Sequence, residues 1–377
     1  MTAQKAHTAV SAFQAFVLAL VLAVALAVVL IPVLPGETPL DVGDLAYTTF
    51  ETDGETILRE GDRVTEASLA RIKGAGLLDN DIGFGEVFSG FFVAILAGAF
   101  TGLYLYLFQP PEVNTNRRLV MYGLLIVLWV AGAKVFFSQA LPDGDRLYLS
   151  YMLPIATAPM LIAALLDAGL ALFTAALLAV VAAFAGFYMP DARQSLSTGP
   201  MESLQMVTTL LLTGFVGVFA VRNAERMNNY ASAGAAVGVM TIASLFTFWL
   251  LLPNKDGVDV VWMLAAGLVA GVGSVVITMG GAYVLGAVFG VATRVQLMEL
   301  AQLSHPLLRQ LQEKAPGTFH HSVIVGNLAE RAADLTGADA LLVRVGCYFH
   351  DIGKTAKPGY YIENQMGGEN PHDRLDP

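Results

Sequence analysis

Charged residues are scarce in this chain of 377 residues: Asp, Glu, Lys and Arg make up 14% of it, while 55% of its residues are hydrophobic. A water-soluble domain carries roughly a quarter charged residues, so the shortage indicates a membrane protein. Cysteine is also scarce, because Cys347 is the single one, and this excludes an internal disulfide framework. Basic residues are not in excess either. The net charge of −10 argues against a surface for a nucleic-acid polymer.

Long apolar runs, by contrast, are abundant. Eight of them are long enough to cross a hydrocarbon core about 30 Å thick, and they lie near residues 12–33, 87–108, 119–140, 147–166, 169–189, 204–221, 233–252 and 262–290. The first exceeds the roughly 7–15 apolar residues of a signal peptide, so we predict an anchor that is retained. The sequence therefore predicts an all-α membrane protein with one plus seven transmembrane helices.

The basic residues of the short loops predict the orientation. With the N-terminus inside, the inner loops hold the larger share of them, namely Arg117, Arg118, Arg222 and Arg226, with Arg294 after the last run. An excess of Lys and Arg marks the cytoplasmic side. Eight spans then return the C-terminal segment to the cytoplasm.

The runs divide the chain into five predicted parts. Residues 1–33 form an N-terminal tip and the first transmembrane helix, and residues 34–85 form a short extracytoplasmic segment. In that segment a helix is predicted to follow the N-cap Thr65 and to stop at Gly74 or Gly76. Residues 86–292 form a seven-helix bundle and residues 293–314 a helical connector, which Pro306 interrupts. Residues 315–377 form a cytoplasmic domain.

Two adjacent histidines in this last part stand out, within "GTFHHSVIVGNLAE" at residues 317–330. A helix is predicted from the N-cap Thr318 to about residue 335, before Gly337. Neighbouring helical residues diverge by about 100°, so His320 and His321 cannot both face one site. His321 shares its face with apolar residues that we expect to be buried, namely Ile324, Val325 and Leu328, and it is therefore favoured.

A second polar group lies in "GCYFHDIGKT" at residues 346–355. We predict a helix from about residue 340 to residue 355, with His350 and Asp351 in its middle. A carboxylate beside packed aromatic residues is costly without a partner, and a divalent cation held by imidazole and carboxylate would be such a partner. Lys354 lies about one turn further along, where it could meet a phosphate.

The motifs of this region resemble those of a known family. "LAQLSHPLLRQLQEKAPGTFHHS", "NLAE", "YFHDIGK" and "ENQ…NPHD" are similar to the HD-domain phosphohydrolases. The similarity is strongest to the bacterial seven-transmembrane HD proteins, the membrane cyclic-di-AMP phosphodiesterases. Those proteins have one N-terminal span, an outer domain, seven spans and a cytoplasmic HD domain, the plan that the apolar runs predict.

The resemblance implies roles for particular residues. His321 matches the family's first metal-binding histidine, and His350 with Asp351 matches the HD dipeptide, whose aspartate bridges two metal ions. The pair of metals, manganese or iron, activates a water that hydrolyses the cyclic dinucleotide to its linear form. Asp351 and Lys354 are thus the expected catalytic residues. A cyclic dinucleotide and the bacterial inner membrane are the expected partners, and a homo-oligomer is compatible with the sequence.

Two departures from the family pattern qualify the expected function. The outer segment is far shorter than the family's outer domain, and the chain ends at "DRLDP", before the later helices that supply three further histidines and a final aspartate. We therefore expect an incomplete active site, and a non-catalytic membrane signalling or scaffold protein is the alternative to an enzyme. Structural roles are expected for the remaining polar candidates, His305, His320, His372 and Asp373.

Overall fold

The computed structural model describes residues 10–31, 40–46, 49–52, 55–59, 61–78, 84–139, 148–187, 200–222, 224, 227–251, 255–365 and 370–374. The chain forms two compact units. Residues 1–223 and 228–290 form the first, called here the membrane unit, and residues 224–227 and 291–377 form the second, called here the terminal unit. The boundaries of the five predicted parts stay a prediction.

Helices dominate the membrane unit. In chain order its elements are α1 (Ala12–Leu30), β1 (Phe50–Thr52), β2 (Glu55–Leu58), α2 (Glu66–Gly74), α3 (Phe84–Phe108), α4 (Asn116–Gln139), α5 (Thr157–Leu165), α6 (Ala168–Phe187), α7 (Pro200–Val221), α8 (Met227–Trp249) and α9 (Gly257–Phe289). Among the described residues, seven helices are long and apolar enough to cross a membrane, namely α1, α3, α4, α6, α7, α8 and α9. The predicted all-α membrane class is confirmed.

The fourth predicted span, at residues 147–166, differs from the others. Its described part is divided into a 3-10 turn at Leu149–Met152 and the nine-residue helix α5. Pro154 lies between them, and its ring removes a backbone donor and disfavours helical geometry in the residue before it. Nine helical residues rise about 14 Å, less than half of a hydrocarbon core of about 30 Å.

Close approaches of small residues hold the membrane helices together. Gly98 and Gly102 of α3 lie against the alanines of α1, and Gly267 and Gly271 of α9 lie against the backbone of Gly238 in α8. A Cβ atom at these glycines would overlap the opposite helix, so the pairs depend on small residues. Gly267 and Gly271 are four residues apart, the spacing that places both on one face of α9.

The segment between α1 and α3 contains a small core of its own. The antiparallel pair β1–β2 and helix α2 enclose apolar side chains, namely Leu40, Ala46, Phe50, Leu58, Val64, Ile72 and Leu78. Thr65 caps α2 as predicted, since its hydroxyl accepts from the Ser68 N–H at 3.1 Å. The β-hairpin was not predicted, because its strands are three and four residues long.

The terminal unit consists of short helices. They are α10 (Arg294–Leu300), α11 (Pro306–Lys314), α12 (Pro316–Thr336) and α13 (Ala340–Phe349), followed by 3-10 turns at Ile352–Ala356, Pro358–Tyr360, Ile362–Asn364 and Pro371–Arg374. As predicted, Pro306 divides the connector, and Gly337 ends α12 in the left-handed conformation at φ 72°. The core of the unit lies between α11, α12 and α13, around Leu308, Leu311, Ala315, Phe319 and Tyr348.

Candidate metal centre

The first turn of α12 is fixed by the segment at residues 362–364. The helix begins at Pro316, so the prediction that Thr318 is its N-cap is wrong. Its N–H donates instead to the Asn364 side chain at 3.1 Å, and its hydroxyl donates to Glu363 Oε1 at 3.0 Å. Gly317 permits this contact, because a Cβ atom there would overlap the carbonyl group of Glu363. These bonds set the position of the turn from which His321 extends.

His350 and Asp351 lie where a helix ends, and not in the middle of one as predicted. Helix α13 stops at Phe349, His350 is its C-cap, and Asp351 has φ −109° and ψ 15°. A 3-10 turn that includes Gly353 follows. Within a regular helix these two neighbours would diverge by about 100°. The break in the helix therefore lets both side chains contribute to one site.

His321, His350 and Asp351 come together on the surface of the terminal unit. One candidate ligand atom from each lies within 4.8 Å of the other two. The Nε2 atom of His350 is 3.2 Å from Oδ2 of Asp351, and the rings of His321 and His350 are 5.8 Å apart between centroids. The structure thus brings together the three residues that the sequence marked as metal ligands.

The His350 ring is oriented for ligation. Its Nδ1 atom is 2.7 Å from the carbonyl oxygen of Cys347, so Nδ1–H donates there and the Nε2 atom lies on the side of Asp351. Ligating histidines in metalloproteins bind their other ring nitrogen in this way. Two imidazoles and one carboxylate suit a divalent transition metal, so the residues present fit one such cation. They form a candidate metal-binding group.

The face of α12 around His321 is exposed, which corrects the prediction that it is buried. Ile324 is 60% exposed and Leu328 is 63% exposed. The buried side of α12 is lined instead by Thr318, Phe319, Ser322, Gly326 and Ala333, because α11 and α13 pack there. His321 and His350 are themselves exposed, and Asp351 is half-buried.

Lys354 connects the centre to the segment at residues 362–364. Its ammonium group lies 2.8 Å from Oδ2 of Asp351 and 2.8 Å from Oε1 of Glu363. The bond to Asp351, helped by Glu363, raises the pKa of Lys354. The same ammonium group, with smaller help from Thr318, lowers the pKa of Glu363 to about 2. Both side chains are therefore charged at neutral pH.

Glu363 was missed as a member of this cluster. It lies nine residues beyond Lys354, and its position depends on the 3-10 turns between them. In the sequence, Glu363 is the first residue of the motif "ENQ…NPHD", whose letters indicate no contact with Lys354. In the structure Glu363 is the shared partner of Lys354 and Thr318, and so it joins the metal centre to the first turn of α12.

The other candidate histidines lie outside the cluster. His320 is exposed and its ring packs edge-on against Phe319. His305 is the N-cap of α11, where its Nδ1 accepts from the Leu307 N–H at 3.3 Å. His372 lies 2.8 Å from the carbonyl oxygen of Tyr360. None of these three rings belongs to the group of candidate ligands in the described residues, and their structural roles stay a prediction.

The fold and the site together define a multi-pass membrane protein with a candidate metal centre in a helical terminal unit. The family described as "7TM receptor with intracellular HD hydrolase" matches residues 84–293, more than half of the chain. The HD domain family matches residues 318–374. The chain belongs to the 7TM receptors with an intracellular HD hydrolase.

Two curated relatives are similar to most of this chain. The cyclic-di-AMP phosphodiesterase PgpH of Listeria monocytogenes is 33% identical over 327 residues, 86% of this chain and 43% of the relative. PgpH of Bacillus subtilis is 29% identical over 331 residues, 86% of this chain and 44% of the relative. The solved HD domain of the L. monocytogenes protein is 64% identical where it aligns, covering 19% of this chain and 35% of that one, with a TM-score of 0.19. This chain spans less than half the length of the curated relatives it matches.

Proposed function

We propose that this chain forms part of a membrane-anchored, metal-dependent phosphohydrolase that converts cyclic-di-AMP to the linear dinucleotide. The observation that carries the proposal is the convergence of His321, His350 and Asp351 within 4.8 Å, in a segment that matches the HD domain. The substrate is inferred from two relatives whose names describe cyclic-di-AMP phosphodiesterases. The bacterial inner membrane is the proposed location, with the HD segment facing the cytoplasm.

His321, His350 and Asp351 would hold the cation, and manganese or iron suits their nitrogen and oxygen donors. When bound, the metal supplies Lewis acidity and an activated water for attack on a phosphodiester. Three protein ligands serve one cation, so the binuclear centre of the family needs ligands beyond these three. We therefore expect these three residues to bind one cation, and we expect turnover to need the further ligands.

Lys354 has two roles in this proposal. Two of its three ammonium N–H donors are directed to Asp351 and Glu363, which holds the carboxylate of Asp351 in place. The ammonium group also lies 4.8 Å from the centre of the Tyr361 ring, and its third donor would bind a phosphate oxygen of the substrate. The carboxylates of Glu363 and Asp351 offset the positive charge of Lys354. Lys354 would therefore position the substrate and the ligand Asp351 without strongly repelling the bound metal ion.

A chimaera tests the proposal. The chain, joined after residue 377 to the later HD-domain helices of the L. monocytogenes relative and purified with Mn²⁺, is expected to hydrolyse cyclic-di-AMP. Asp351→Asn should abolish the hydrolysis, while Asp373→Asn should leave it intact. An inactive, folded and metal-loaded chimaera would favour the alternative, a non-catalytic membrane signalling or scaffold protein with a partial HD fold. Hydrolysis that does not depend on Asp351 would contradict the role of Asp351 as a metal ligand.

A further inference from the structure

A long groove runs between α1 and α4 in the membrane unit. It has a volume of about 900 Å³ and is lined mainly by apolar side chains, among them Val17, Leu18, Val21, Leu22 and Val127. Its polar lining residues are Ser11, Gln14 and Asn116, which lie at the starts of the two helices. Gln14 donates to Asn116 Oδ1 at 2.8 Å, so these polar groups meet at one end of an otherwise apolar groove.

A basic pocket adjoins that polar end. It has a volume of about 570 Å³ and is lined by residues 114–118, Phe289 and Gly290, so that Asn116 lines both the groove and the pocket. Arg117 and Arg118 are two of its lining residues, and Arg117 is exposed. Arg118 donates to the backbone carbonyl of Glu112 at 2.8 Å. No acidic residue belongs to the described lining of the pocket.

The pocket lies at the intracellular end of the helices. Gly290 ends α9, and the chain continues from there to the HD segment at residues 318–374. The family's description places that hydrolase inside the cell. The inner leaflet carries anionic lipids, and basic pockets between transmembrane helices on this side bind their headgroups.

We propose that the groove and the pocket together bind one anionic phospholipid. Its phosphate would pair with Arg117 and Arg118, and one acyl chain would lie along the apolar groove between α1 and α4. Arginine suits this task because its planar fork of donors matches a phosphate. A zwitterionic lipid offers the same chain without net negative charge, so the arginines select the headgroup. The bound lipid would tie the first helix of the chain to the bundle.

Lipid binding to the purified full chain tests the proposal. The chain in detergent is titrated with phosphatidylglycerol or phosphatidylcholine, and bound lipid is counted by native mass spectrometry. One phosphatidylglycerol is expected to bind in preference to phosphatidylcholine. The double variant Arg117→Gln/Arg118→Gln should weaken its binding about 10-fold or more, the effect of losing about one charge-assisted pair. Arg222→Gln is the matched control, because Arg222 follows α7, lies over the Phe219 ring and does not line the pocket, and it should change binding less than about twofold.

A second variant tests the groove with both arginines in place. Ala25→Phe would fill the apolar end of the groove, since Ala25 lines it on α1. Binding of long-chain phosphatidylglycerol should fall, while binding of dihexanoyl phosphatidylglycerol should not. Equal binding of phosphatidylcholine, or equal losses in the Arg222→Gln and double variants, would refute the lipid site. Full competition by inorganic phosphate would do so as well, because it would indicate a site for a soluble anion.

Discussion

Alanine in place of Gly326 should disturb the contact between α12 and α13 that positions the metal centre. A Cβ atom at residue 326 would lie 2.6 Å from Cε1 and 2.8 Å from Cδ1 of the Tyr348 ring. Tyr348 is 1% exposed, and its hydroxyl accepts from Arg344 Nε at 2.8 Å. The ring therefore has little freedom to move. His350 lies two residues after Tyr348, so a shift of α13 at Tyr348 would also shift this candidate ligand.

The expected cost follows from these distances. Carbon atoms in contact normally lie about 3.5–4.0 Å apart, so the two helices would have to separate by about 1 Å. Overpacking of this kind costs about 1–3 kcal/mol. Gly346 offers the matched control, because a Cβ atom there would meet nothing within 4 Å. Gly346→Ala should gain about 0.5–1 kcal/mol from helix propensity. Gly326 also lies inside a helix, so this gain is common to both variants, and they should differ by the overpacking cost alone, about 2 kcal/mol.

Cys347 supplies the assay. It is the single cysteine of the chain, it is partly buried on α13, and its labelling by a thiol reagent reports the opening of the terminal unit. A difference of about 2 kcal/mol corresponds to labelling about 30-fold faster in Gly326→Ala than in Gly346→Ala. Cobalt affinity should fall in Gly326→Ala alone. Equal labelling rates in the two variants would refute the packing argument.

Three further predictions concern charged side chains. Glu363→Gln should lower the free energy of unfolding by about 1 kcal/mol at neutral pH, after allowance for solvent screening. Folding lowers the pKa of Glu363 from 4.5 to about 2, so the difference from wild type is full above pH 4.5 and disappears as the pH falls to about 2. Hydrogen exchange of α12, corrected for pH, would measure this difference. Lys354→Met should weaken cyclic-di-AMP binding to the manganese-loaded chain about 10-fold through the loss of a charge-assisted bond; an unchanged dissociation constant in equilibrium dialysis would contradict the phosphate role. Lys134→Met should destabilise the contact of α1 by about 1–2 kcal/mol, since the Lys134 ammonium lies 2.9 Å from the carbonyl oxygen of Val29 and 2.6 Å from that of Ile31. Thermal unfolding in detergent should show a lower melting temperature for this variant and an unchanged one for the control, Lys255→Met.

The sequence predicted the membrane fold well because apolar length is a local property. A run of about 20 apolar residues specifies a spanning helix without knowledge of its neighbours, and seven such helices are present in the described residues. The division of residues 147–166 could have been anticipated from Pro154, which disfavours helical geometry in the preceding residue. The β-hairpin could not, because strands of three and four residues carry too short a pattern.

The site was predictable in its membership more than in its geometry. The histidines and Asp351 were found because the motif names them, and the structure brings His321, His350 and Asp351 together. The prediction that the face with Ile324 is buried was wrong, because helical periodicity shows that a face is apolar but not whether a neighbouring helix covers it. Glu363 was missed because its contact with Lys354 depends on a succession of turns.

Binding of Co²⁺ to the purified chain, followed by visible absorption and calorimetry, tests the central claim most directly. His320 and His321 are adjacent in sequence, but only His321 lies in the cluster of candidate ligands. We predict that the wild-type chain binds one Co²⁺ with absorption typical of nitrogen and oxygen ligands. His321→Ala should lose at least about 100-fold in affinity, and His320→Ala should stay within about threefold of wild type. Equal effects of the two substitutions, or no cobalt binding by the folded chain, would contradict the account.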